Sequence, residues 1–494
     1  VNSKFDFNEI LVIRNHRIIF SITLQLNCKR YIFRFIQSLL LEKYKLYIMI
    51  PTIGFLIDWI SSANHIELVL SLEEAAKKAG VNLLTIMGGA LNSPKIYEAK
   101  SNYLYTNPKD IPIDGLIIES GLLGLYSNYF QMKEFISRFN HIPVVSLSKK
   151  IEGIHTIIIN TSKGFNKLIS HLIKKHKCHN FAYISGPKEN VDSKKRLEVF
   201  KSTLTENQIT WNEKAIYYGK FINKSGNEAI SYFLDDLKIS PDVVVAANDD
   251  MAMGAISELK KRKISIPNTI KITGFDDQIN AKFLSPPLST VKIPTNQICE
   301  QAIESIKDLI DGKKMDELIE IPTKPIMRSS CGCDNSAANE SNSDNFNLLP
   351  KKKEIIINLI DAYRNIGYTR DILHLEKVIP YLFNKTNILS CIISFFQNNS
   401  LEKLSPVLKY MNNEAKISKF KEIFKNPYHL LKSLLKSEKP INFRLFSIIF
   451  QDKVIGTIIY QVKLDGNLLG SAMRTNLLDN LAKTLYIHQF LNHY

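Results

Sequence analysis

Short apolar segments alternate with helical segments along most of the first 330 residues, and this alternation limits the possible folds more than any other feature of the sequence. The first such segments have the length and composition of buried strands and lie at 81–86, 114–118 and 143–147. Apolar strands separated by helices are typical of βαβ units, in which a parallel sheet is covered on both faces. The sequence therefore predicts an α/β fold.

The same alternation begins again with a helix at 161–175. Further strands are predicted at 181–185, 242–246 and 270–274, the last helix at 295–311 and a closing strand at 317–322. Two successive α/β halves of similar length predict two lobes separated by a cleft. We therefore expect residues 46–333 to form a two-lobed domain that binds a small molecule, with parallel sheets flanked by helices.

The segments outside this domain differ in composition. Residues 1–45 are a basic, apolar-rich leader to which the sequence assigns no role, and residues 334–349 are predicted to be a flexible linker rich in Asn and Ser. In residues 350–494, helical patterns dominate from 353 to 435, followed by two apolar strands and a closing helix. This region is predicted to be mainly helical, of the α+β class.

Charge and cysteine content indicate neither a nucleic-acid surface nor a metal site. The net charge of +16 comes from 64 Lys and Arg against 48 Asp and Glu, and the excess is spread thinly, whereas a nucleic-acid patch is clustered on one face. Cys331 and Cys333 lack the spacing and the second pair usual for zinc, and His171 with His176 is typical of an exposed helix end. We expect no catalytic residue, metal or cofactor.

Cysteine usage and hydropathy also indicate a compartment. The six cysteines are sparse, which is typical of proteins in a reducing cytoplasm. No convincing secretory signal is present, and no run approaches the roughly 20 apolar residues of a membrane helix. The sequence predicts a cytoplasmic protein without a membrane partner.

Polar residues directly after predicted strands are the candidate ligand contacts. In open α/β sheets the ligand lies at the carboxyl ends of the strands, and the polar residues there are Asp58, Asn248, Asp249 and Asp276, with Arg196 early on the following helix. Carboxylates and guanidinium groups hydrogen-bond hydroxyls well, and the aromatic faces of Trp59 and Phe221 are suited to stack on a sugar. For Asp249 and its neighbour Asp250 the alternative is a helix N-cap.

Several segments resemble the ligand-binding domain of the LacI/GalR family, which has a periplasmic-binding-protein-like fold of type I. They are AANDDMAMGA at 246–255, TGFDD at 273–277, LSPPLSTV at 284–291 and RSSCGC at 328–333, with Arg196 ahead of them. They stand in the order and spacing of the family, and the resemblance covers about residues 46–333. It implies a small polar ligand of the sugar or nucleoside class and a side-by-side homodimer.

Carried over by position, the resemblance implies ligand contacts at Arg196, Asn248, Asp249 and Asp276, with Asp58 and Trp59 on the first lobe. One departure is Val199, which stands where the family usually has a glycine. A second departure is the leader, which lacks the helix-turn-helix of family repressors. The SCGC ending resembles a subset of sensors fused to GAF-like or helical transmitters and signalling outputs, and no output motif is visible in residues 350–494.

The resulting hypothesis is a sensor of signal-transduction or transcription-regulator type. Its ligand closes the cleft and biases the C-terminal region through a hinge motion. The alternative is a DNA-binding repressor of the LacI/GalR type, which contacts DNA directly or through a partner. A transporter solute-binding protein is a third hypothesis, which the missing export signal disfavours, and no motif supports an enzyme.

Overall fold

A computed structural model provides the structure and describes residues 13–14, 17–18, 50–58, 63–278, 280–334, 372–397, 401–417, 423–435, 439–462 and 468–486. Most of the leader and the predicted linker thus lie outside the described residues. Two short strands of the leader, β1 (Ile13–Arg14) and β2 (Arg17–Ile18), pair in antiparallel fashion. Among the described residues, no helix combines the length and apolarity needed to cross a bilayer.

Lobe 1 contains a parallel sheet of six strands with the order β13-β7-β6-β5-β3-β4. Four of these strands are buried along their whole length, which explains why they read as apolar runs. The strands are β3 (Thr52–Ile57), β4 (Asn82–Met87), β5 (Gly115–Glu119), β6 (Val144–Leu147), β7 (His155–Asn160) and β13 (Leu318–Pro322). The helices are α1 (Ala63–Ala79), α2 (Ile96–Ser101), α3 (Ser120–Leu123), α4 (Tyr129–Ser137) and α9 (Thr295–Ile310).

Lobe 2 contains a parallel sheet of four strands with the order β11-β10-β8-β9 and a hydrophobic core of its own. Its strands are β8 (Phe181–Ser185), β9 (Ile216–Tyr218), β10 (Val243–Ala246) and β11 (Lys271–Thr273), with β12 (Thr290–Lys292) and β14 (Lys324–Ile326) as an antiparallel pair beside them. Its helices are α5 (Thr161–Lys174), α6 (Val191–Glu206), α7 (Asn223–Ser231) and α8 (Asp249–Lys261).

The chain passes between the lobes near residues 160, 293 and 323. The last predicted helix, α9, and the closing strand, β13, belong to lobe 1 and not to lobe 2, because β13 pairs with β7 and α9 packs against α1. The two lobes are therefore not two consecutive halves of the sequence. Three connections between them form the hinge of a cleft.

The C-terminal region carries a five-stranded antiparallel sheet with the order β18-β19-β15-β16-β17. Its strands are β15 (Ile388–Phe396), β16 (Leu404–Met411), β17 (Glu414–Ile417), β18 (Asn442–Phe450) and β19 (Lys453–Val462). Its helices are α10 (Ile372–Lys385), α11 (Pro427–Leu434) and α12 (Leu468–Tyr486).

The prediction that helices dominate residues 353–435 is wrong for residues 388–396, 404–411 and 414–417, which form three strands. The run from Cys391 to Phe396 cannot be distinguished by periodicity from a buried helix, because this part of β15 is buried on both faces and shows no alternation.

This five-stranded sheet continues the sheet of lobe 1. Strand β18 pairs in parallel with β4, from Asn442 beside Leu83 to Phe446 beside Met87, so that eleven strands form one sheet. Residues of lobe 1 and of the C-terminal region share hydrophobic clusters on both faces of this sheet. Lobe 1 and the C-terminal region are therefore one packed body.

A buried ion pair joins the two parts of this body. The Arg444 guanidinium on β18 donates from Nε to Glu73 Oε1 at 2.7 Å and from Nη2 to Glu73 Oε2 at 2.9 Å, and both side chains are 1% exposed. Further polar contacts run from Asn442 Nδ2 to the Glu73 carbonyl at 3.1 Å and from Asn426 Nδ2 to Asp110 Oδ2 at 2.7 Å.

Two glycines allow helices α7 and α8 of lobe 2 to touch through their backbones. A Cβ at Gly226 would lie 1.9 Å from the carbonyl oxygen of Met251, and a Cβ at Gly254 would lie 1.9 Å from that of Asn223. The contact holds the start of α7 against α8. Both helices begin at the edge of the cleft, so this packing positions residues of the candidate site.

Gly254→Ala should lower the free energy of unfolding by about 1–3 kcal/mol, because the added methyl group forces the two helices apart in a packed core. Urea unfolding of the full chain measures the change. Ser257→Ala, at an exposed position of the same helix, is the control and should stay within about 0.5 kcal/mol of wild type. Equal stability of the two variants would contradict the close contact.

Candidate functional site

The carboxyl ends of the strands of both lobes border one cleft. Lys149 follows β6 of lobe 1, and Asp192 lies in the first turn of α6 in lobe 2. Desolvation lowers the pKa of Lys149, while the negative charges of Glu119 and of Asp192 across the cleft act in the opposite direction. A residue after a strand of lobe 1 and a residue at the start of a helix of lobe 2 are thus close enough to interact across the cleft.

Asp58 stands at the end of β3 and is the predicted contact on lobe 1. Its Oδ1 atom lies 3.6 Å from Nδ1 of His65 and has no hydrogen-bond partner among the described residues. Burial raises the pKa of Asp58 to about 7, and the negative charges of Glu119 and Glu98 add to this effect. The carboxyl group therefore has free hydrogen-bonding capacity and exchanges a proton near neutral pH.

Glu119 is a second acidic residue of lobe 1, which the sequence analysis missed. It ends β5, and its carboxylate accepts hydrogen bonds from the Ser148 hydroxyl and from the Gly121 N–H at 2.9 Å. Burial raises its pKa to about 7. The strand was predicted to end at residue 118, so Glu119 is the first polar residue after the predicted strand. The rule that ligand contacts follow strands could therefore have identified it.

Arg196 projects from α6 on the opposite side of the cleft. Its guanidinium carbon lies 3.8 Å from the ring centre of Phe275, and Nη1 donates to the Ala247 carbonyl and lies 3.8 Å from Asp276 Oδ1. Its Nε atom is buried and has no partner among the described residues. Arg196 is thus held in place and keeps one donor free. Val199, the departure from the family pattern, is buried three residues further along the same helix.

Asp276 follows β11 and adopts an unusual backbone conformation with φ of 120°. Such conformations cost free energy and persist where the surroundings impose them, often at functional sites. Burial raises the pKa of Asp276 to about 7, against the opposing effect of Arg196. Two of the predicted ligand contacts, Asp276 and Arg196, thus lie beside each other in lobe 2.

Asn248 and Asp249 use their polar atoms within lobe 2. Asn248 caps α8, because its Oδ1 accepts from the Met251 N–H at 3.1 Å while its Nδ2 donates to the Phe221 carbonyl at 3.1 Å. Asp249 is fully buried and accepts from Thr290 Oγ1 at 2.6 Å and from the Gln278 N–H at 2.8 Å. The geometry favours a positioning role for both residues, behind the groups that border the cleft.

Phe221 is the predicted aromatic contact of lobe 2. Its backbone is left-handed with φ of 59°, and its ring lies so close to Gly186 that a Cβ there would be 2.1 Å from the ring atom Cζ. The ring therefore needs a glycine at the end of β8. Trp59, the predicted aromatic contact of lobe 1, lies outside the described residues.

Two histidines and two cysteines meet elsewhere on lobe 2. The interpretation of His171 and His176 as an exposed helix end is wrong, because both rings are half-buried and lie against Cys333, with Cys331 in the same group. Each histidine is more than 150 residues from Cys333 in the sequence, so the spacing of the residues could not reveal their contact.

The comparison with protein-family models matches residues 169–331 to the model described as "Periplasmic binding protein-like domain". Among curated proteins, the HTH-type transcriptional regulator AscG of Escherichia coli is 36% identical over 132 residues, which are 26% of this chain and 39% of that protein. The regulator DegA of Bacillus subtilis is 26% identical over 55% of this chain and 78% of its own length. The repressor PurR of Klebsiella pneumoniae is 27% identical over 56% and 79%.

Over residues 169–331 the chain is therefore similar to periplasmic-binding-protein-like domains. Solved structures are also similar to part of the chain. That of the Escherichia coli repressor AscG has a TM-score of 0.47 and 25% identity, and covers 57% of this chain and 98% of its own. The match to AscG spans less than half of that regulator, whereas the matches to DegA and PurR span more than three quarters of theirs.

Proposed function

We propose that this chain is a ligand-sensing regulator whose LacI/GalR-type domain binds a small polar molecule of the sugar or nucleoside class between its lobes. The observation that carries the proposal is the pair of buried carboxyl groups with raised pKa, Asp58 on lobe 1 and Asp276 on lobe 2. Burying a carboxyl group costs stability unless it is paired, and a ligand with hydroxyl groups would supply a partner for Asp58 Oδ1 and further hydrogen bonds for Asp276.

The chemistry of the cleft suits a neutral polyhydroxylated ligand. A carboxyl group with a pKa of about 7 can accept or donate a hydrogen bond at neutral pH, which describes Asp58, Glu119 and Asp276. Arg196 adds a donor at Nε, and the ring of Phe221 offers an apolar face for stacking. The relatives are named as transcriptional regulators and not as enzymes, which supports a non-catalytic role, and we propose the cytoplasm as the location because the cysteines are sparse.

The signal would be transmitted by movement of lobe 2 relative to the body formed by lobe 1 and the C-terminal region. Ligand binding draws lobe 2 toward lobe 1, which shares its sheet with the C-terminal region. We propose 46–333 as the sensor, 334–349 as a linker and 350–494 as a GAF-like transmitter of the subset ending in SCGC, with 1–45 as a leader of unassigned role. The effector would be another domain or chain.

Direct DNA binding as a homodimer is the second candidate function, because relatives are named as HTH-type regulators. A mobility-shift assay at increasing salt tests it, since binding through phosphate contacts weakens steeply with salt. Loss of the shift after deletion of residues 1–45 would locate the contact, and no shift at low salt would exclude it. Cell fractionation tests the third hypothesis, a transporter solute-binding protein, which requires export.

Asp276→Ala should abolish the ligand-induced rise in melting temperature, because the ligand loses its main acceptor on lobe 2. The assay is a thermal-shift screen of sugars and nucleosides on the full chain, followed by the variant with each ligand that stabilises the wild type. Asp276→Asn is the conservative variant, since Asn tolerates unusual φ values, and it should also respond less.

The control for this screen is Asp311→Asn, at an exposed position beyond α9. It should keep the full ligand response. If the ligand raised the melting temperature of Asp276→Ala as much as that of wild type, Asp276 would not belong to the ligand site.

A further inference from the structure

Four side chains with metal-binding chemistry meet on lobe 2, outside the candidate ligand site. His171 lies in the last turn of α5 and His176 in the loop after it, while Cys331 and Cys333 belong to the last segment of the domain. One ligand atom of each residue lies within 4.8 Å of all the others. Both cysteines are buried and both histidines are half-buried.

The separations inside this group match a coordination sphere. His171 Nε2 lies 3.1 Å from His176 Nε2 and 3.1 Å from Cys333 Sγ, and His176 Nε2 lies 3.3 Å from the same sulfur. A tetrahedral zinc ion with Zn–N of about 2.0 Å and Zn–S of about 2.3 Å places its ligand atoms roughly 3.3–3.8 Å apart. A single hydrogen bond would bring two of these atoms together, whereas here the two Nε2 atoms and the Cys333 sulfur all lie within 3.3 Å of one another.

The local sequence builds this convergence. Gly332 has φ of 94°, a left-handed conformation that favours glycine, and it reverses the backbone between the two cysteines. The neighbouring Ser330 fixes the turn, because its hydroxyl accepts from the Ser289 N–H at 2.8 Å and donates to the Ile272 carbonyl at 2.6 Å. The cysteine pair is thus held in position against α5 by the rest of lobe 2.

We propose that His171, His176, Cys331 and Cys333 form a binding site for a divalent transition-metal ion, with Zn²⁺ the best match. Two imidazole nitrogens and two thiolates are a ligand set typical of tetrahedral zinc. On binding, the two thiols release their protons to solvent and the sulfurs donate electron pairs to the ion. Four protein ligands leave no open position, so the site is structural and not catalytic.

The position of the site gives the metal a structural role. It joins the end of the sensor domain to α5 across 162 residues, directly before the chain leaves lobe 2 at Asp334. A cross-link that closes so long a segment lowers the entropy of the unfolded chain and stabilises the fold. The metal would also fix the point from which the chain departs toward the C-terminal region.

The first test measures metal in the wild-type full chain, purified without an affinity tag and with reductant. Elemental analysis should find one zinc ion per chain. After removal by a chelator, titration with Co²⁺ should reach one equivalent and produce the visible bands and the thiolate charge-transfer band of tetrahedral cobalt, which Zn²⁺ then abolishes. Less than a tenth of an equivalent of either metal, or an octahedral cobalt spectrum, would overturn the proposal.

The second test uses variants and needs no ligand for the cleft. Cys333→Ser and His176→Gln should lose the cobalt bands, and a chelator should lower the melting temperature of the wild type but not of these variants. The matched control is Cys178→Ser, a buried cysteine two positions from His176 and outside the group, which should keep one equivalent. Loss of metal from the control, with retention in Cys333→Ser, would refute the ligand set.

Discussion

Glu73→Gln should lower the free energy of unfolding of the full chain by about 3–5 kcal/mol, the usual loss when one partner of a buried ion pair is removed. The Arg444 guanidinium would stay at 1% exposure without this counter-charge, inside the contact between α1 and β18. Water cannot replace the bidentate contact there, because the carboxylate of Glu73 is equally buried. We expect the variant to release the C-terminal region, which limited proteolysis would detect.

The neighbouring residue offers a matched control for this prediction. Glu74 is on the same helix, but its carboxylate is 58% exposed and 3.3 Å from Lys78, so Glu74→Gln should cost no more than about 0.5 kcal/mol. A double variant, Glu73→Leu with Arg444→Met, should recover most of the lost stability, since an apolar pair can replace a buried ion pair. Equal losses from Glu73→Gln and Glu74→Gln would contradict the buried contact.

Asp276→Asn should make the ligand-free chain more stable at pH 8 by roughly 2–4 kcal/mol, given about 1.4 kcal/mol for each unit of pKa difference between the folded and unfolded states. The pKa of Asp276 rises from 3.8 in the unfolded chain to about 7 in the fold because the side chain is buried. The folded state therefore holds the proton more tightly. The stabilising contribution is complete below pH 4 and is lost as the pH rises through 7.

Asparagine does not ionise, so the difference between variant and wild type should be near zero at pH 4 and grow toward pH 8. Urea unfolding across this range measures it. Asp58 and Glu119 titrate in the same range in both proteins, so the comparison isolates residue 276. A difference between Asp276→Asn and wild type that stays flat across this range would contradict the burial of the Asp276 carboxyl group. If Asp276→Asn is more stable than wild type and also responds less to the ligand, this combination would be typical of a residue in a functional site.

Sequence periodicity predicts the positions of most strands of the sensor domain, but it does not predict which lobe each strand and helix joins. The periodicity predicts strand 181–185 with the bounds that the structure gives, and it displaces strand 81–86 by one residue. Strands β7 and β9 escape prediction because they are only partly buried or very short. The return of α9 and β13 to lobe 1 depends on contacts between distant segments, which local periodicity does not contain.

The sequence likewise predicts some residues of the candidate site and misses others. Asp58, Arg196 and Asp276 follow from the rule that polar residues after parallel strands gather at one edge. The rule cannot tell a ligand contact from a residue that serves the fold, and Asn248 and Asp249 hydrogen-bond within lobe 2. The cluster at His176 and Cys333 escaped prediction because its halves are joined only by tertiary packing.

The pairing of β18 with β4 also has a consequence for synthesis of the chain. Strand β4 is mostly apolar and wholly buried, and one of its edges pairs with residues 442–446. About 355 residues separate the two strands, which a ribosome adds in roughly 20–70 s at about 5–20 residues per second. During that interval the nascent sheet presents an open apolar edge, the kind of surface on which chains aggregate. Lobe 1 thus reaches its final form only after residues 442–446 have been synthesised, and chaperones would find their binding surface at this edge.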